Sequence, residues 1–343
     1  MTIEQRKEYA AVDIFKMICA ILVMLIHTKP FENIFWVDAA VGMVTRFAVP
    51  FFFTVSGYFL FKKVSQSSEK KWSIVGKYLL RLLRFYIIWF IIIRLADIAV
   101  GRWTLQSFSY YLKQFFFTTD GSPLWFVAAL MWAVILYSVL MTLLKPKTIF
   151  AVGIIFLIIG YCFSTLLRVT GNWPVVQSLK PIVSFIGVQG SMFFAFPYVA
   201  LGALMTQKKQ ETTVKRDIIG IAVFFIFLGA ESLVMVKKFN APLTFLWLFM
   251  MPTTYFTTHL ALTLPIESKP GYYILRKIST LCYVLHVVIF KTLIYIFDQT
   301  GITAKDPHHL LLTLLTILIT LSLAWCIYIL SRKKTFSLLK YGM

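Results

Sequence analysis

The sequence predicts an all-α fold, a polytopic membrane bundle of about ten transmembrane helices with both termini cytoplasmic. Three observations carry that reading. Apolar residues fill 59% of 343 positions and charged residues only 14%, at a mean hydropathy of +0.80, whereas soluble domains hold about 45–50% and 25%. The apolar residues gather into runs near the roughly 20 residues that a helix needs to cross a hydrocarbon core of about 30 Å. Lys and Arg fall in short clusters between those runs.

By that measure the spans lie near 12–32, 42–61, 78–99, 123–144, 148–167, 183–206, 218–236, 242–264, 280–298 and 309–330. The first follows a polar stretch, Glu4 to Glu8, and no small-residue cleavage pattern follows it, so it reads as a retained helix. One set of loops collects Arg6 and Lys7, then Lys62, Lys63, Lys70, Lys71 and Lys77, then Lys145 and Lys147, then Lys208, Lys209, Lys215 and Arg216. Lys269, Arg276, Lys277 and the tail from Arg332 to Lys340 complete that set, which the positive-inside rule assigns to the cytoplasm. The opposite loops are sparser in Lys and Arg but carry Trp103, Tyr110, Tyr111 and Trp173, which suit an interfacial aromatic belt. "YYLKQFFFTTDG" reads as a short helix lying on that outer surface. Residues 1–343 read as a single membrane domain.

The net charge of +20 would suggest nucleic acid in a soluble chain, but its alternation with apolar runs makes it a topology signal. A nucleic-acid role is excluded on that ground. Cys19, Cys162, Cys282 and Cys326 sit singly in apolar runs, without the spacing of a disulfide framework or zinc site. His308 and His309 are adjacent, a poor geometry for one tetrahedral ion, and no metal is assigned. No GxSxG, Walker A or HExxH stretch supports hydrolase, ATPase or zincin chemistry.

The first span, "DIFKMICAILVMLIHTKPF", places three ionisable groups in a segment suited to hydrocarbon. Lys16 and His27 are almost three whole helical turns apart, so they project from one face, about 16 Å apart along the axis. Asp13 shares the stripe and pairs with Lys16 at i, i+3. Such a face lines a cavity or pathway; the alternatives are a helix-helix hydrogen bond for His27 and snorkelling for Lys16. In the second span Arg46 enters from the outer side, and Ser56, Gly57 and Tyr58 lie toward the other end, where Ser and Gly also serve close helix packing. Arg81 and Arg84 form an i, i+3 pair in the third span. His286 has Tyr283 at i−3, and His259 has threonines nearby to satisfy it.

The basic residue, ten residues and histidine of the first helix, "RFAVPFFFTVSGYFLF", "RLLR", "SPLWFVAALMWAVILY", "GSMFFAFPYVALGAL" and "STLCYVLHVVIF" together resemble the acyltransferase-3 family of integral membrane O-acyltransferases. The "IHTKPF" and "VPFFFTVSGYFLF" forms are most similar to the branch that holds the membrane module of vancomycin-resistance serine racemases. The resemblance implies a multi-pass protein of the cell membrane, surrounded by lipid. It would move an acyl group, acetyl first among them, from cytoplasmic acyl-CoA to a hydroxyl of an envelope or extracytoplasmic acceptor. It implies His27 as the catalytic residue with Lys16 and Asp13 beneath it, Arg81 and Arg84 as acyl-donor contacts, and Arg46, Ser56, Tyr58, Tyr283 and His286 as supporting polar groups. Acetyl-CoA enters as co-substrate and no cofactor is held permanently. Two departures stand out: "LWFVAAL" replaces an acidic motif common at the fourth helix, and Gln189 stands where the racemase-like branch often has arginine. The alternative reading is a transport module for a small amino acid such as L-serine, with Pro197 and Pro252 as helix interruptions.

Overall fold

The computed structural model describes residues 9–101, 106–116, 123–166, 174, 177–178, 192–207, 211–239, 247–267, 269–301 and 308–333. Among these residues the regular structure is helical throughout. Six segments are long and apolar enough to cross a membrane, with two shorter apolar helices besides; the chain is a multi-pass membrane protein.

The helices are α1 (Ala10–Thr28), α2 (Phe35–Arg46), α3 (Ala48–Gln66), α4 (Lys71–Ala99), α5 (Phe108–Phe116) and α6 (Trp125–Leu140). They continue with α7 (Pro146–Tyr161), closed by a π-helical turn over Cys162–Leu166, then α8 (Met192–Met205), α9 (Val214–Phe239), α10 (Met250–Thr263), α11 (Pro270–Gln299) and α12 (His308–Ser331). Each expected span falls on one of them, although the first residues of the spans expected at 183–206 and 242–264 lie outside the described residues. Several residues expected in loops are helical, Lys62 and Lys63 on α3, Lys147 on α7, and Lys215 and Arg216 on α9. The second expected span is two helices, because the chain breaks at Phe47 between α2 and α3. Lys71 and Lys77, expected in a loop, lie on α4, which begins a turn or more early. α11 starts at Pro270, a residue preset for the first helical turn, so Arg276 and Lys277 are helical too. The stretch read as an interfacial helix is helical through Phe116, and Asp120 and Gly121 lie outside the described residues. Trp103, Trp173, Gln189, Lys208, Lys209 and Lys340 also lie outside them.

The chain divides into two compact units. The first comprises Met1–Ala48, Leu83–Gln106 and Pro265–Met343. In it α1 packs against α2, α11 and α12. The buried side of α1 is lined by small and medium residues, Ala10, Ala11, Cys19, Ala20 and Val23, which let α11 approach with Leu281, Cys282 and Val284. α12 turns Thr313, Thr316 and Thr320 inward and leaves Leu310, Leu314 and Leu318 exposed, the reverse of a soluble helix and the arrangement that hydrocarbon favours. Thr313 and Thr316 meet their polar cost locally, donating to the carbonyls of His309 and Leu312 in the preceding turn, while Thr320 Oγ1 is buried with no partner among the described residues.

The second unit comprises Val49–Leu82 and Ser107–Leu264. α8 packs against α6 and α7, and α9 against α10. Glycines set the closest approaches: a Cβ on Gly57 would run into the Val199 carbonyl oxygen, and one on Gly202 into the Thr54 carbonyl oxygen and the Tyr58 nitrogen. Stacked Phe53 and Phe126, 4.4 Å between centroids, fill the space beside them. Glu231 of α9 accepts the backbone N–H groups of Leu248 (2.9 Å) and Phe249 (3.1 Å), capping the start of α10 from another helix. Pro197 lies inside α8 without ending it, and Pro252 falls in the first turn of α10, so neither splits a helix into halves.

Candidate functional site

Within the first unit, three polar side chains from three helices converge. His27 lies in the last turn of α1, which ends on Lys29 in the left-handed region (φ 44°, ψ 62°) with its N–H returned to the Leu25 carbonyl. That terminus fixes where the helix stops and holds the imidazole two residues before the cap. The ring of His286, from the middle of α11, stands 5.0 Å from that of His27, centroid to centroid, at 47°. Arg46, in the last turn of α2, acts on His27 through its charge and is itself balanced by Asp38 in the first turn of the same helix. Tyr283, one turn before His286, lies 6.3 Å from it, ring to ring.

The hydrogen bonding of this group is open. His286 is fully buried, and Nδ1 donates to the Cys282 carbonyl at 3.0 Å, yet Nε2 is buried with no hydrogen-bond partner among the described residues. The Nε of Arg46 is in the same condition. A buried polar atom without a partner costs about 1–3 kcal/mol, so such atoms are rare in native proteins. Here an acceptor nitrogen of His286 stands beside the His27 ring, and Arg46 brings a charged donor within electrostatic range of it.

Toward the other end of α1, Asp13 is buried and held by Arg276 of α11, through Nε to Oδ1 at 2.7 Å and Nη2 to Oδ2 at 2.9 Å. The expectation named Lys16 as its partner. The bidentate guanidinium is the stronger geometry, and it fastens α1 to α11 along the line that carries His27 and His286. Lys16 itself is half-buried on α1. Farther along α11, Lys291 donates to Asp97 of α4 at 3.2 Å, and Arg94 stands 3.5 Å from the same carboxylate.

The remaining expected residues are placed by the second unit and by α4. Arg81 and Arg84 are both exposed on α4, with the guanidinium of Arg81 5.1 Å from the centre of the Tyr78 ring. Tyr78 also bonds the Ser56 side chain. Tyr58 is buried on α3, with Lys62 one turn along, 5.8 Å from the ring centre. Gly57 serves the helix contact expected of it.

His259 is buried as expected of a structural residue, but threonines are not what satisfies it. Its Nδ1 is 2.6 Å from Oδ2 of Asp217, and Arg216 bonds the other carboxylate oxygen at 2.9 Å. The nearby Thr253, Thr254 and Thr257 donate to their own helix carbonyls instead. An aspartate in the first turn of a long apolar helix, Asp217, was the available signal for this cluster. Asp97, three residues after Arg94, and Glu231, deep in an apolar run, were legible in the same way and were not singled out.

The model of the acyltransferase-3 family, described as an acyltransferase domain, matches residues 9–331. An amino-acid racemase of Enterococcus faecalis is 25% identical over 229 residues, 65% of this chain and 33% of that protein. A second amino-acid racemase of the same organism is 32% identical over 75 residues, 21% of this chain and 10% of its own length. The chain thus spans a third or less of the curated relatives it matches. No solved structure matches it.

Proposed function

Because the chain belongs to the acyltransferase-3 family, we propose that it is a membrane acyltransferase, one that transfers an acetyl group from cytoplasmic acetyl-CoA to a hydroxyl of an extracytoplasmic or envelope acceptor in the cell membrane. The observation that carries this reading is the convergence of His27, Arg46 and His286 around open hydrogen-bonding capacity. His27 takes the proton of the acceptor hydroxyl, whose oxygen then attacks the thioester carbonyl. The oxyanion that develops is met by the Arg46 guanidinium, a charge-assisted donor whose Nε has no other partner among the described residues. The carbon–sulfur bond breaks, the thiolate takes the proton from His27, and the products are the ester and free coenzyme A. Arg81 and Arg84, exposed on α4, are the proposed contacts for the donor's phosphates, since paired guanidinium groups bind them bidentately.

The test is transfer of labelled acetyl from acetyl-CoA to envelope extract in proteoliposomes. His27→Ala is expected to lower the rate by about 100-fold or more, the low end of what a general base supplies. Retained turnover in that variant overturns the assignment. The second reading, a carrier for a small amino acid such as L-serine, draws on the similarity to amino-acid racemases. Labelled L-serine uptake by the same proteoliposomes, with no acetyl transfer, would favour it.

A further inference from the structure

The scheme above leaves Nε2 of His286 without a task. The Cys282 carbonyl oxygen, 3.0 Å from Nδ1, can only accept, so Nδ1 carries the hydrogen and Nε2 carries the lone pair. That lone pair is buried without a donor among the described residues, and the ring in contact with it is His27. An N–H···N bond of about 2.9 Å between two imidazoles, joined edge to edge, puts their centroids about 5 Å apart. The observed separation is 5.0 Å, so the spacing suits such a bond, and what is lacking is the direction of the His27 N–H toward Nε2. The terminal torsion of a histidine is broad, and rotation about it swings the ring nitrogens of His27 without moving α1.

We propose that His286 is a positioning residue, which accepts the N–H of His27 at Nε2 and so fixes which nitrogen of His27 is basic. This rests on the reading of His27 as the general base. The chain of groups then runs from the Cys282 carbonyl through His286 and His27 to the acceptor hydroxyl. When His27 takes the hydroxyl proton, both its nitrogens carry hydrogen, and the one facing His286 becomes a charge-assisted donor. Release of the proton to the thiolate returns His27 to its starting tautomer, and His286 neither gains nor loses a proton over the cycle.

A neutral imidazole suits this position for a physical reason. The usual orienting group for a catalytic histidine is a carboxylate. In a hydrocarbon setting a carboxylate needs a cation, and Arg46 beside His27 would claim it. Asp13, the buried carboxylate on the same helix, is already held at both oxygens by Arg276. An uncharged acceptor orients the base and leaves Arg46 to the oxyanion.

The experiment compares His286→Gln, which keeps an acceptor oxygen near the place of Nε2, with His286→Phe, which keeps the ring and removes the acceptor. Both variants are measured for acetyl transfer and by solid-state 15N spectra of histidine-labelled protein, with His27 assigned by its loss in His27→Gln. The wild type is expected to show one His27 tautomer. His286→Phe is expected to show both tautomers and to lose transfer about 10- to 100-fold, while His286→Gln stays within about threefold of wild type. Wild-type transfer in His286→Phe, or equal loss in both variants with the His27 tautomer unchanged, overturns the proposal. If His27→Ala retains turnover, the enzymatic reading falls by itself, and the spectra still decide whether the two imidazoles are bonded.

Discussion

His259 in the second unit and His286 in the first share two features: each lies on an apolar helix, and each is buried, at 4% and 0% exposure. Their surroundings differ in one respect. His259 meets Asp217, and Arg216 occupies the carboxylate's other oxygen, so acid, imidazole and guanidinium satisfy one another. His286 spends one nitrogen on a backbone carbonyl and leaves the other open beside His27, with the Nε of Arg46 also open. Closed hydrogen bonding holds helices together. Open hydrogen bonding alone does not set a site apart, since Thr258 Oγ1 and Tyr198 Oη are also buried without partners among the described residues. What distinguishes the first unit is an open imidazole nitrogen beside a second imidazole.

The largest effect is expected where the closed cluster is opened. Asp217 is fully buried, and Asp217→Ala leaves a guanidinium and an imidazole without their anion, at a cost of about 3 kcal/mol, the low end for a buried pair because Arg216 is half-exposed. The apparent unfolding temperature in detergent should drop sharply, while acetyl transfer per folded molecule stays near wild type. His27→Ala is expected to do the reverse, losing transfer with the unfolding temperature nearly unchanged. If the two variants behave alike, the distinction between open and closed clusters fails.

Next comes the tie between α1 and α11. Arg276→Ala strips both donors from the Asp13 carboxylate, with an expected cost of about 2–3 kcal/mol, tempered because Arg276 is one-third exposed. Since that pair fastens the helix that carries His27 to the one that carries His286, transfer should fall along with stability. Arg276→Lys, which keeps charge but not the bidentate fork, should recover stability better than transfer. A variant that loses stability alone would show that the two helices hold their register without the pair.

How much of this was legible follows from sequence distance. The period of 3.6 put Lys16 and His27 on one helix face from sequence alone, and hydropathy placed each span on a helix, although α11 begins well before the expected start, at Pro270. The break at Phe47 escaped because the apolar run continues across it. Asp13 was matched with Lys16, three residues on, whereas Arg276 lies 263 residues away. The partner of His259 is 42 residues distant and equally out of reach of local rules. His27 and His286 were each named, but their contact joins the first span to the ninth, and nothing in a single sequence states that.

The smallest effects separate two glycines that the sequence treats alike. Gly202 and Gly76 are both helical and both in the second unit. A Cβ on Gly202 would meet backbone of α3 at Tyr58, and backbone cannot rotate away, so Gly202→Ala is expected to cost about 1–3 kcal/mol or more. Around Gly76, which is exposed on α4, nothing lies within 4 Å of the added carbon. There alanine only restricts the unfolded chain and favours the helix, so Gly76→Ala should stabilise by about 0.5–1 kcal/mol. A rise in unfolding temperature for Gly76→Ala beside a fall for Gly202→Ala would confirm that the second unit is held by close helix approach at specific positions. Two falls would mean that the start of α4 is tied to groups that the packing around Gly76 does not include.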